Sequence, residues 1–439
     1  MEKHRRVRAA QAVRAASAAL TILLVLAGLT ASSFAQGLVT EPLRVGVILP
    51  APRGGETTAD VLWNAVAEAA VKGAVMGTEE TAFNASMLGM DFDSIIVRVG
   101  SPEEAAEAVA QLVAEHNVYA VVGGLGEGFA PALSRAAAAH NVLFFNIGTP
   151  DDYLRKEERR PTTFHIEASA AMYLDALAGW FVRAPHRFWY IVYEDSPAGQ
   201  ALYARLRYAL TERHFGAREV GRTAVARGQA DYGSVLNAIR RSNADLVVLL
   251  LNGEDQLRFL EQYAAARINV RITGFPAPET QTRTFLRLLA ERAGAADAGY
   301  RSLLWEPTLD MYGARELNAR YVERWGEPMD SAAWAAYASM KILFEAVLFG
   351  GSVRAEDLVS YLASPMAVFD VWKGIGTSFR PWDHQLRQSL YLVRVNQQGP
   401  SGDDARSKLN MALLVGELPA IYMPGTDPVE RLDQLGDIE

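Results

Sequence analysis

Strand-like and helix-like patterns alternate along the first part of the chain. Short β-branched or apolar runs predict strands at residues 43–50, 94–99, 119–122 and 142–147. Apolar residues at helical spacing predict helices at 58–76 and 102–116, and an alanine-rich stretch predicts another between the last two strands. Alternation of this kind favours a parallel sheet with helices on both faces.

The same order of elements begins again near residue 165. Helices are expected at 170–182, 198–214, 232–241 and 255–266, and strands at 188–193, 245–251 and 270–275. The polar stretch 221–229 is assigned to neither class. The chain is therefore expected to build two α/β units of similar design.

A third segment is expected to return to the first unit. Residues 300–306 are predicted to be extended, and helices are predicted at 317–325 and 331–349. The second helix is largely apolar, which favours packing against an existing sheet. The predicted fold class is α/β, with two Rossmann-like lobes of parallel strands joined by a multi-strand hinge and a ligand cleft at the strand ends. The predicted boundaries are 36–165 for lobe one, 166–305 for lobe two, 306–365 for a return mostly to lobe one, and 366–439 for a C-terminal hairpin and tail.

Residues 1–35 have the pattern of a secretory signal peptide. Five basic residues precede or flank an apolar core at 18–29, and the small residues Ser33 and Ala35 fit cleavage after Ala35. An uncleaved anchor is the alternative. No cysteine follows the core, which argues against a lipoprotein, and no later stretch approaches 18 unbroken apolar residues. After cleavage we expect a periplasmic protein that is not integral to the membrane.

Composition restricts the chemistry further. The sequence contains no cysteine, which excludes disulfides, a thiol nucleophile and a zinc–thiolate site. The net charge is −8, and loss of residues 1–35, with five basic residues and one acidic residue, leaves about −12. This charge argues against a nucleic-acid partner. It either favours a cationic or neutral ligand or only aids solubility.

The glycine-rich turn within "YAVVGGLGEGFAPALSRAAAAHN", residues 119–141, is a candidate binding loop. A dinucleotide fingerprint would need glycine where the chain has Phe129 or Pro131, and no Gly-Lys-Ser/Thr sequence follows for a P-loop. Two interpretations remain. The segment is a tight strand-to-helix turn, or the N–H groups of Gly126, Glu127 and Gly128 face a ligand in the cleft.

Residue patterns for catalysis are lacking, so we expect no enzyme and no cofactor. The seven histidines have no metal-binding spacing, and no G-x-S-x-G motif occurs. Carboxylate pairs follow predicted strands at Asp151/Asp152, Glu194/Asp195 and Glu254/Asp255. Each pair is either solvated surface or part of a cation site where strand ends converge. The candidate metal ligands are Glu127, Asp151, Asp152 and Asp195.

Aromatic and basic residues cluster near the C-terminus. The cluster consists of Trp372, Phe379, Arg380, Trp382, His384 and Arg387. A nucleic-acid surface is one interpretation, but the negative net charge argues against it. A packed hairpin leading into a strand at 390–395 is the other.

The order of elements from 43 to about 362 resembles the type I periplasmic solute-binding proteins of the leucine/isoleucine/valine-binding kind, which serve ABC transporters. The similar stretches are "LRVGVILP", "YAVVGGLGEGFAPALSRAAAAHNVLFFNIGTP", "FWYIVYEDSPAGQALYARLRYAL" and "DYGSVLNAIRRSNADLVVLLLN". The resemblance implies a clamshell in which lobe one holds an amino acid's carboxylate through serine and threonine. An aromatic and an acidic residue of lobe two would complete the site.

The chain departs from that family's pattern at several site positions. Gly126-Glu127-Gly128 stands where serines are expected, Thr149 keeps the threonine, and Asn252 stands where an aromatic residue is usual. The resemblance then implies that Glu127 repels a carboxylate. The candidate ligand-binding residues are Gly126, Glu127, Gly128, Thr149, Asp151, Glu194, Asp195, Asn252 and Glu254.

A narrower resemblance comes from "GIGTSFRPWDHQLRQSLYLVRVN", residues 374–396. It is similar to the C-terminal signature of binding proteins associated with pyrroloquinoline-quinone-dependent alcohol dehydrogenase systems, except that Ser389 replaces the proline expected after LRQ. The resemblance implies an ABC-system component that accompanies quinoprotein alcohol oxidation. Its ligand would be a small alcohol-derived compound, or calcium or a lanthanide.

We therefore expect a non-catalytic binding protein whose partner is an ABC permease, and the narrower resemblance implies a quinoprotein alcohol dehydrogenase as a second partner. The alternative is a periplasmic accessory or scaffold protein that binds the dehydrogenase and has lost its small ligand. The replaced serine and aromatic positions motivate that alternative.

Overall fold

The computed structural model describes residues 42–293, 299–396, 402, 404–420 and 425–437. It contains two β-sheets, which define lobe one and lobe two. The predicted signal peptide at 1–35 lies outside the described residues. The predicted α/β class with mostly parallel strands in two sheets is confirmed.

Lobe one is built on a parallel sheet with the strand order β2-β1-β3-β4-β5. Its strands are β1 (Leu43–Pro50), β2 (Phe92–Val99), β3 (Ala120–Gly123), β4 (Leu143–Asn146) and β5 (Thr163–His165). The connecting helices are α1 (Thr58–Ser86), α2 (Pro102–His116) and α3 (Phe129–Ala139). Ser101 begins α2 by accepting a hydrogen bond from the N–H of Glu104 at 3.2 Å, so the local sequence defines that boundary.

Lobe two is built on a sheet with the strand order β12-β11-β10-β9-β8-β6-β7. Its strands are β6 (Phe188–Glu194), β7 (Arg218–Val225), β8 (Leu246–Leu250), β9 (Arg271–Gly274), β10 (Tyr300–Leu303), β11 (Leu390–Val395) and β12 (Ala412–Leu418). Strands β6 to β10 are parallel, whereas β11 and β12 join as antiparallel neighbours. The helices up to β10 are α4 (Ala170–Arg183), α5 (Pro197–Tyr208), α6 (Gly233–Arg241), α7 (Gly253–Ala265) and α8 (Arg283–Ala293).

The apolar helix of the third segment packs in lobe one. The helices after β10 are α9 (Ala314–Trp325), α10 (Ser331–Gly350) and α11 (Ala355–Leu362), followed near the C-terminus by α12 (Ala405–Leu409) and α13 (Pro428–Gln434). Helix α10 lies along α1, and a Cβ added at Gly73 would lie 2.0 Å from the carbonyl oxygen of Ala333. By length and composition α10 is apolar enough to cross a membrane, but 78% of its most apolar window is buried inside the fold.

Most predicted elements are found within a few residues of their expected bounds, with three informative differences. The polar stretch 221–229 was predicted to be neither helix nor strand, but its first five residues belong to strand β7. β7 pairs only with β6 at the edge of the sheet, so its outward side chains remain polar and the apolar signal of a strand is weak. The helix predicted at 198–214 ends at Tyr208 and continues as a π-helical turn, Ala209–Arg213. Helix α1 extends ten residues beyond its predicted end, to Ser86.

Three segments carry the chain between the lobes and form the hinge. They follow β5, β10 and α11, and we call them the first, second and third crossover (166–169, 304–313 and 363–389). The aromatic and basic cluster near the C-terminus lies in the third crossover and packs beside β5, where the rings of His384 and Phe164 stack at 4.3 Å. Arg380, His384 and Arg387 are buried, so the cluster is a packed element and not a nucleic-acid surface.

Candidate ligand-binding cleft

The carboxyl ends of strands from both lobes meet at a cleft. Helix α1, which starts after the loop that follows β1, contacts α7 and the 3-10 turn Pro278–Gln281 of lobe two. The loop after β3 reaches the loop after β7 through a side-chain ion pair, described below. The candidate site is therefore bounded by strand ends of both sheets, where ligands bind in open α/β folds.

The glycine-rich loop after β3 is shaped by backbone requirements. Gly124, Gly126 and Gly128 all have positive φ angles, between +81° and +99°, which side chains disfavour. A Cβ at Gly126 would also lie 2.6 Å from the ring of Trp63. The glycines thus permit a tight turn packed on α1, and Glu127 projects from this turn with 81% of its side chain exposed.

Two backbone N–H groups that follow β4 are already hydrogen-bonded within the chain. Asn146 accepts hydrogen bonds from the N–H groups of Gly148 at 3.1 Å and Thr149 at 2.9 Å, and its amide donates to the carbonyl oxygen of Thr149. A Cβ at Gly148 would lie 2.6 Å from the backbone of Leu125. This strand end therefore fixes the glycine-rich loop, and its two N–H groups are engaged within the chain.

Arg227 connects the two lobes across the cleft. Its Nη1 lies 2.8 Å from Oε2 of Glu127 in lobe one, and its Nε lies 3.1 Å from Oε2 of Glu194 in lobe two. The carboxylates of Glu127 and Glu194, with the guanidinium between them, raise the pKa of Arg227 above its usual value. The repulsion expected between Glu127 and a ligand carboxylate is thus offset by a neighbouring cation.

The acidic residues after β8 form a network within lobe two. Asn252 begins α7 by accepting from the N–H of Asp255 at 3.0 Å, and its amide donates to Asp255 at 2.7 Å. Arg258 binds Asp255 at 2.9 Å and Glu254 at 2.8 Å. Asn252 also lies 3.5 Å from Glu194, so its side chain joins this network to the Arg227 bridge.

The predicted residues after β4 lie on the opposite side of the cleft. Asp151 is exposed to solvent, but the protein around it partly desolvates its carboxyl and, with the nearby charges of Asp152 and Glu127, holds its pKa above the usual value despite the favourable charge of Arg155. Asp152 pairs with Arg205 of α5 at 3.3 Å, a second ion pair between segments on either side of the first crossover. Asp195 is exposed at the rim of the cleft.

The structure brings only some of the predicted residues together. Glu127, Glu194 and Asn252 meet around Arg227, whereas Glu254 is turned toward Arg258 and Asp152 toward Arg205. Within the described ranges, no three histidine, aspartate or glutamate side chains are grouped so that they could hold a metal ion. The assignment of these residues to a ligand or a metal remains a prediction.

Sequence reasoning missed the cations of the site and one carboxylate. Arg227 and Arg258 neutralise the predicted acidic residues, and Glu279 accepts a hydrogen bond from the N–H of Gly253 at 3.0 Å. Burial raises the pKa of Glu279. Recognition of β7 would have identified Arg227, because that residue comes just after the carboxyl end of the strand.

Comparison with known proteins agrees with this architecture. The family model for periplasmic binding proteins matches residues 42–400. No curated protein matches the chain at the level of sequence. Among solved structures, a branched-chain amino acid ABC transporter periplasmic ligand-binding protein from Burkholderia xenovorans has a TM-score of 0.74 at 16% identity, covering 86% of this chain and 95% of that one.

Two further structures share the fold. An ABC transporter substrate-binding protein from Sphaerobacter thermophilus has a TM-score of 0.72 at 20% identity, with 86% of this chain and 98% of that chain covered. The branched-chain amino acid transporter substrate-binding protein from Streptococcus pneumoniae, solved with isoleucine, has a TM-score of 0.68 at 18% identity, with 85% and 99% covered.

The fold and the cleft define a clamshell binding protein. The chain belongs to the periplasmic binding protein family, whose model covers most of its length. Membership implies a periplasmic location and a role in binding a substrate.

Proposed function

We propose that the chain is the substrate-binding component of an ABC transporter, and that its lobes close on a small ligand and present it to a permease. The observation that carries this proposal is the bridge from Glu127 through Arg227 to Glu194, which joins both lobes at the strand ends. A cleft that closes through exchangeable polar contacts suits a protein that alternates between open and closed states.

The finer part of the proposal is an association with quinoprotein alcohol oxidation. It rests on the resemblance of residues 374–396 to the signature of that group of binding proteins. This segment overlaps the third crossover and β11, and its residues Gln385 and Gln388 donate hydrogen bonds to β5 and the first crossover, so it helps to build the hinge. We propose an organic compound related to alcohol oxidation as the ligand, bound near Gly126, Glu127, Gly128, Thr149, Asp151, Glu194, Asp195, Asn252 and Glu254.

Two alternatives have their own supporting observations. The acidic residues that follow strands, Glu127, Asp151, Asp152 and Asp195, motivate calcium or a lanthanide as the ligand, although no three of them are grouped in the described ranges and a metal would have to gather them. The absence of the family's serine and aromatic positions supports a scaffold that binds a dehydrogenase and no small ligand.

A ligand panel tests these possibilities. The melting temperature of the purified protein is measured with calcium, lanthanum, short and aromatic alcohols, their acids, and leucine, since a ligand of the folded state raises it. A rise with any compound supports capture by the cleft, and no rise with any of them contradicts it and favours the scaffold. If a metal stabilises the protein, alanine at Glu127 and Asp151 is expected to abolish that effect, and an unchanged effect contradicts the metal site.

A further inference from the structure

The two carboxylates bound by Arg227 differ in their exposure to solvent. The Glu127 side chain is 81% exposed, whereas the Glu194 side chain is 10% exposed. The arginine itself is 58% exposed and binds each carboxylate through a different nitrogen. One partner can therefore leave while the other remains.

The cost of separating Arg227 from each carboxylate determines whether Glu127 or Glu194 is the partner that exchanges. Release of an exposed carboxylate such as Glu127 from an ion pair costs little, because water replaces the lost contact. Removing the arginine from Glu194 would cost more, because a carboxylate that is only 10% exposed would lose its cation and keep a 3.5 Å contact to Asn252. Arg227 is thus fixed by Glu194, and Glu127 is its exchangeable partner.

Glu127 can leave Arg227 by rotation of its side chain, without movement of the backbone, because that side chain is 81% exposed. Its neighbours Gly126 and Gly128 have no side chains that would obstruct this rotation. Replacement of one carboxylate by another at Nη1 of Arg227 also leaves the net charge around the arginine unchanged. Exchange therefore requires neither a buried unpaired charge nor a new counterion.

We propose that Glu127 is a tethered substitute for a ligand's carboxylate, and that Arg227 binds the carboxylate of an organic acid that takes its place. This inference rests on the proposed function, since it presumes that the cleft captures a small molecule. It makes Arg227 the residue that selects for acids over the corresponding alcohols. In the absence of the acid, the Glu127 carboxylate occupies Nη1 of Arg227.

The same geometry disfavours an ammonium group beside that carboxylate. Four carboxylates at the strand ends of lobe two already accept hydrogen bonds from the chain's own arginine, amide or backbone donors, whereas Asp195 is exposed to solvent; the four are Glu194, Glu254, Asp255 and Glu279. A ligand ammonium would compete with these donors for carboxylate oxygens that are already partly neutralised. An acid without an α-amino group is therefore expected to bind better than an amino acid.

The experiment compares matched compounds by titration calorimetry. Butyrate and benzoate are the acids, 1-butanol and benzyl alcohol are the neutral partners, butylamine and benzylamine are the cations, and leucine is the amino acid. The variants are Arg227→Gln, Glu127→Gln and the control Arg222→Gln, whose arginine lies on β7 but pairs with Glu219. Each variant is first shown to fold by its melting transition.

The expected result is binding of at least one acid in preference to its matched alcohol, amine and leucine. Loss of a charge-assisted hydrogen bond in Arg227→Gln should weaken acid binding by about 10- to 100-fold, while Arg222→Gln leaves it unchanged. Loss of the internal competitor in Glu127→Gln should tighten acid binding by up to about fivefold.

The outcomes separate this inference from the proposed function. If an alcohol, an amine or leucine binds in preference to the acids, or if Arg227→Gln binds the acids as tightly as the unaltered protein, the inference is wrong and ligand capture stands. If none of the compounds binds to the unaltered protein or to Glu127→Gln, the inference is contradicted together with small-molecule capture.

Discussion

Lys373 donates a hydrogen bond across 2.6 Å to the carbonyl oxygen of Leu304, and so joins the third crossover of the hinge to the second. Its Nζ also donates to Oε1 of Gln388 at 2.9 Å, and the amide of Gln388 donates to the carbonyl oxygen of Ile166 in the first crossover. A single chain of hydrogen bonds therefore connects all three segments on which the lobes pivot.

Replacing Lys373 with methionine is expected to destabilise the protein by roughly 1–3 kcal/mol. The side chain is almost fully buried, and its loss would leave the acceptors on Leu304 and Gln388 without this donor. Urea unfolding measures the change. Lys341→Met is the control, because that lysine pairs with Glu345 one turn away and lies 5.9 Å from the Trp372 ring, and its loss should cost less than about 1 kcal/mol. Equal losses in the two variants would argue against a hinge role.

Glu167 is expected to make stability depend on pH. Burial raises its pKa to about 7, although Tyr173 donates to it at 2.6 Å and the charges of Arg155 and Lys373 oppose the rise. In the unfolded chain the carboxyl has an ordinary pKa near 4.3. Between these values the folded state binds the extra proton, so this contribution is complete below about pH 4 and is lost as the pH rises toward 7.

The Glu167→Gln variant isolates that contribution, because glutamine resembles the protonated acid. Its free energy of unfolding relative to the unaltered protein should increase between pH 5 and pH 8, as the unaltered protein ionises a buried group. Denaturant titrations at both pH values measure the difference. A difference that is constant with pH, or that falls, would show that Glu167 titrates normally.

Asp175 is expected to anchor the C-terminal tail. This buried carboxylate accepts from Arg213 at 2.8 Å, from His214 at 2.7 Å and from the N–H of Gly436 at 3.0 Å. Asp175→Asn removes the charge but keeps the shape, and should cost roughly 3 kcal/mol. Thermal and chemical unfolding measure the loss.

The control for Asp175→Asn is the same substitution at Asp310, an aspartate in an exposed ion pair with an arginine. Asp310 lies 3.4 Å from Arg315, and both side chains are about two-thirds exposed. Asp310→Asn should cost less than about 1 kcal/mol. If both aspartates contributed equally, burial would not be what gives Asp175 its importance.

Gly73 is expected to be essential for the packing of α10 on α1. A Cβ there would lie 2.0 Å from a backbone oxygen of α10, which cannot rotate away as a side chain would. Gly73→Ala should therefore destabilise the protein by about 1–3 kcal/mol or more, even though alanine favours helices. Gly54→Ala is the matched substitution in open space, with no atom within 4 Å, and should change stability by less than about 0.5 kcal/mol. Melting temperatures of the two variants provide the test.

Much of lobe one could be predicted from the sequence, because the residue patterns that define its helices and strands each lie within a short stretch of chain. The proline and two glutamates at the start of α2 and the alternation of apolar runs with helical spacing all arise within a few residues. Strand β7 was missed because an edge strand buries little, and strand β5 because it has only three residues. The carboxylates of the candidate site were visible as pairs, but their cationic partners were not.

The sequence by itself determined the α/β alternation, the two-unit organisation and the acidic character of the strand ends, since each depends on neighbouring residues. Only the tertiary structure decided that Glu127 faces Arg227, which is 100 positions away in the chain, and that the segment around Gln385 packs beside β5 in the hinge. These pairings depend on how two sheets and three crossovers are placed relative to each other. No local pattern of polar and apolar residues encodes that placement.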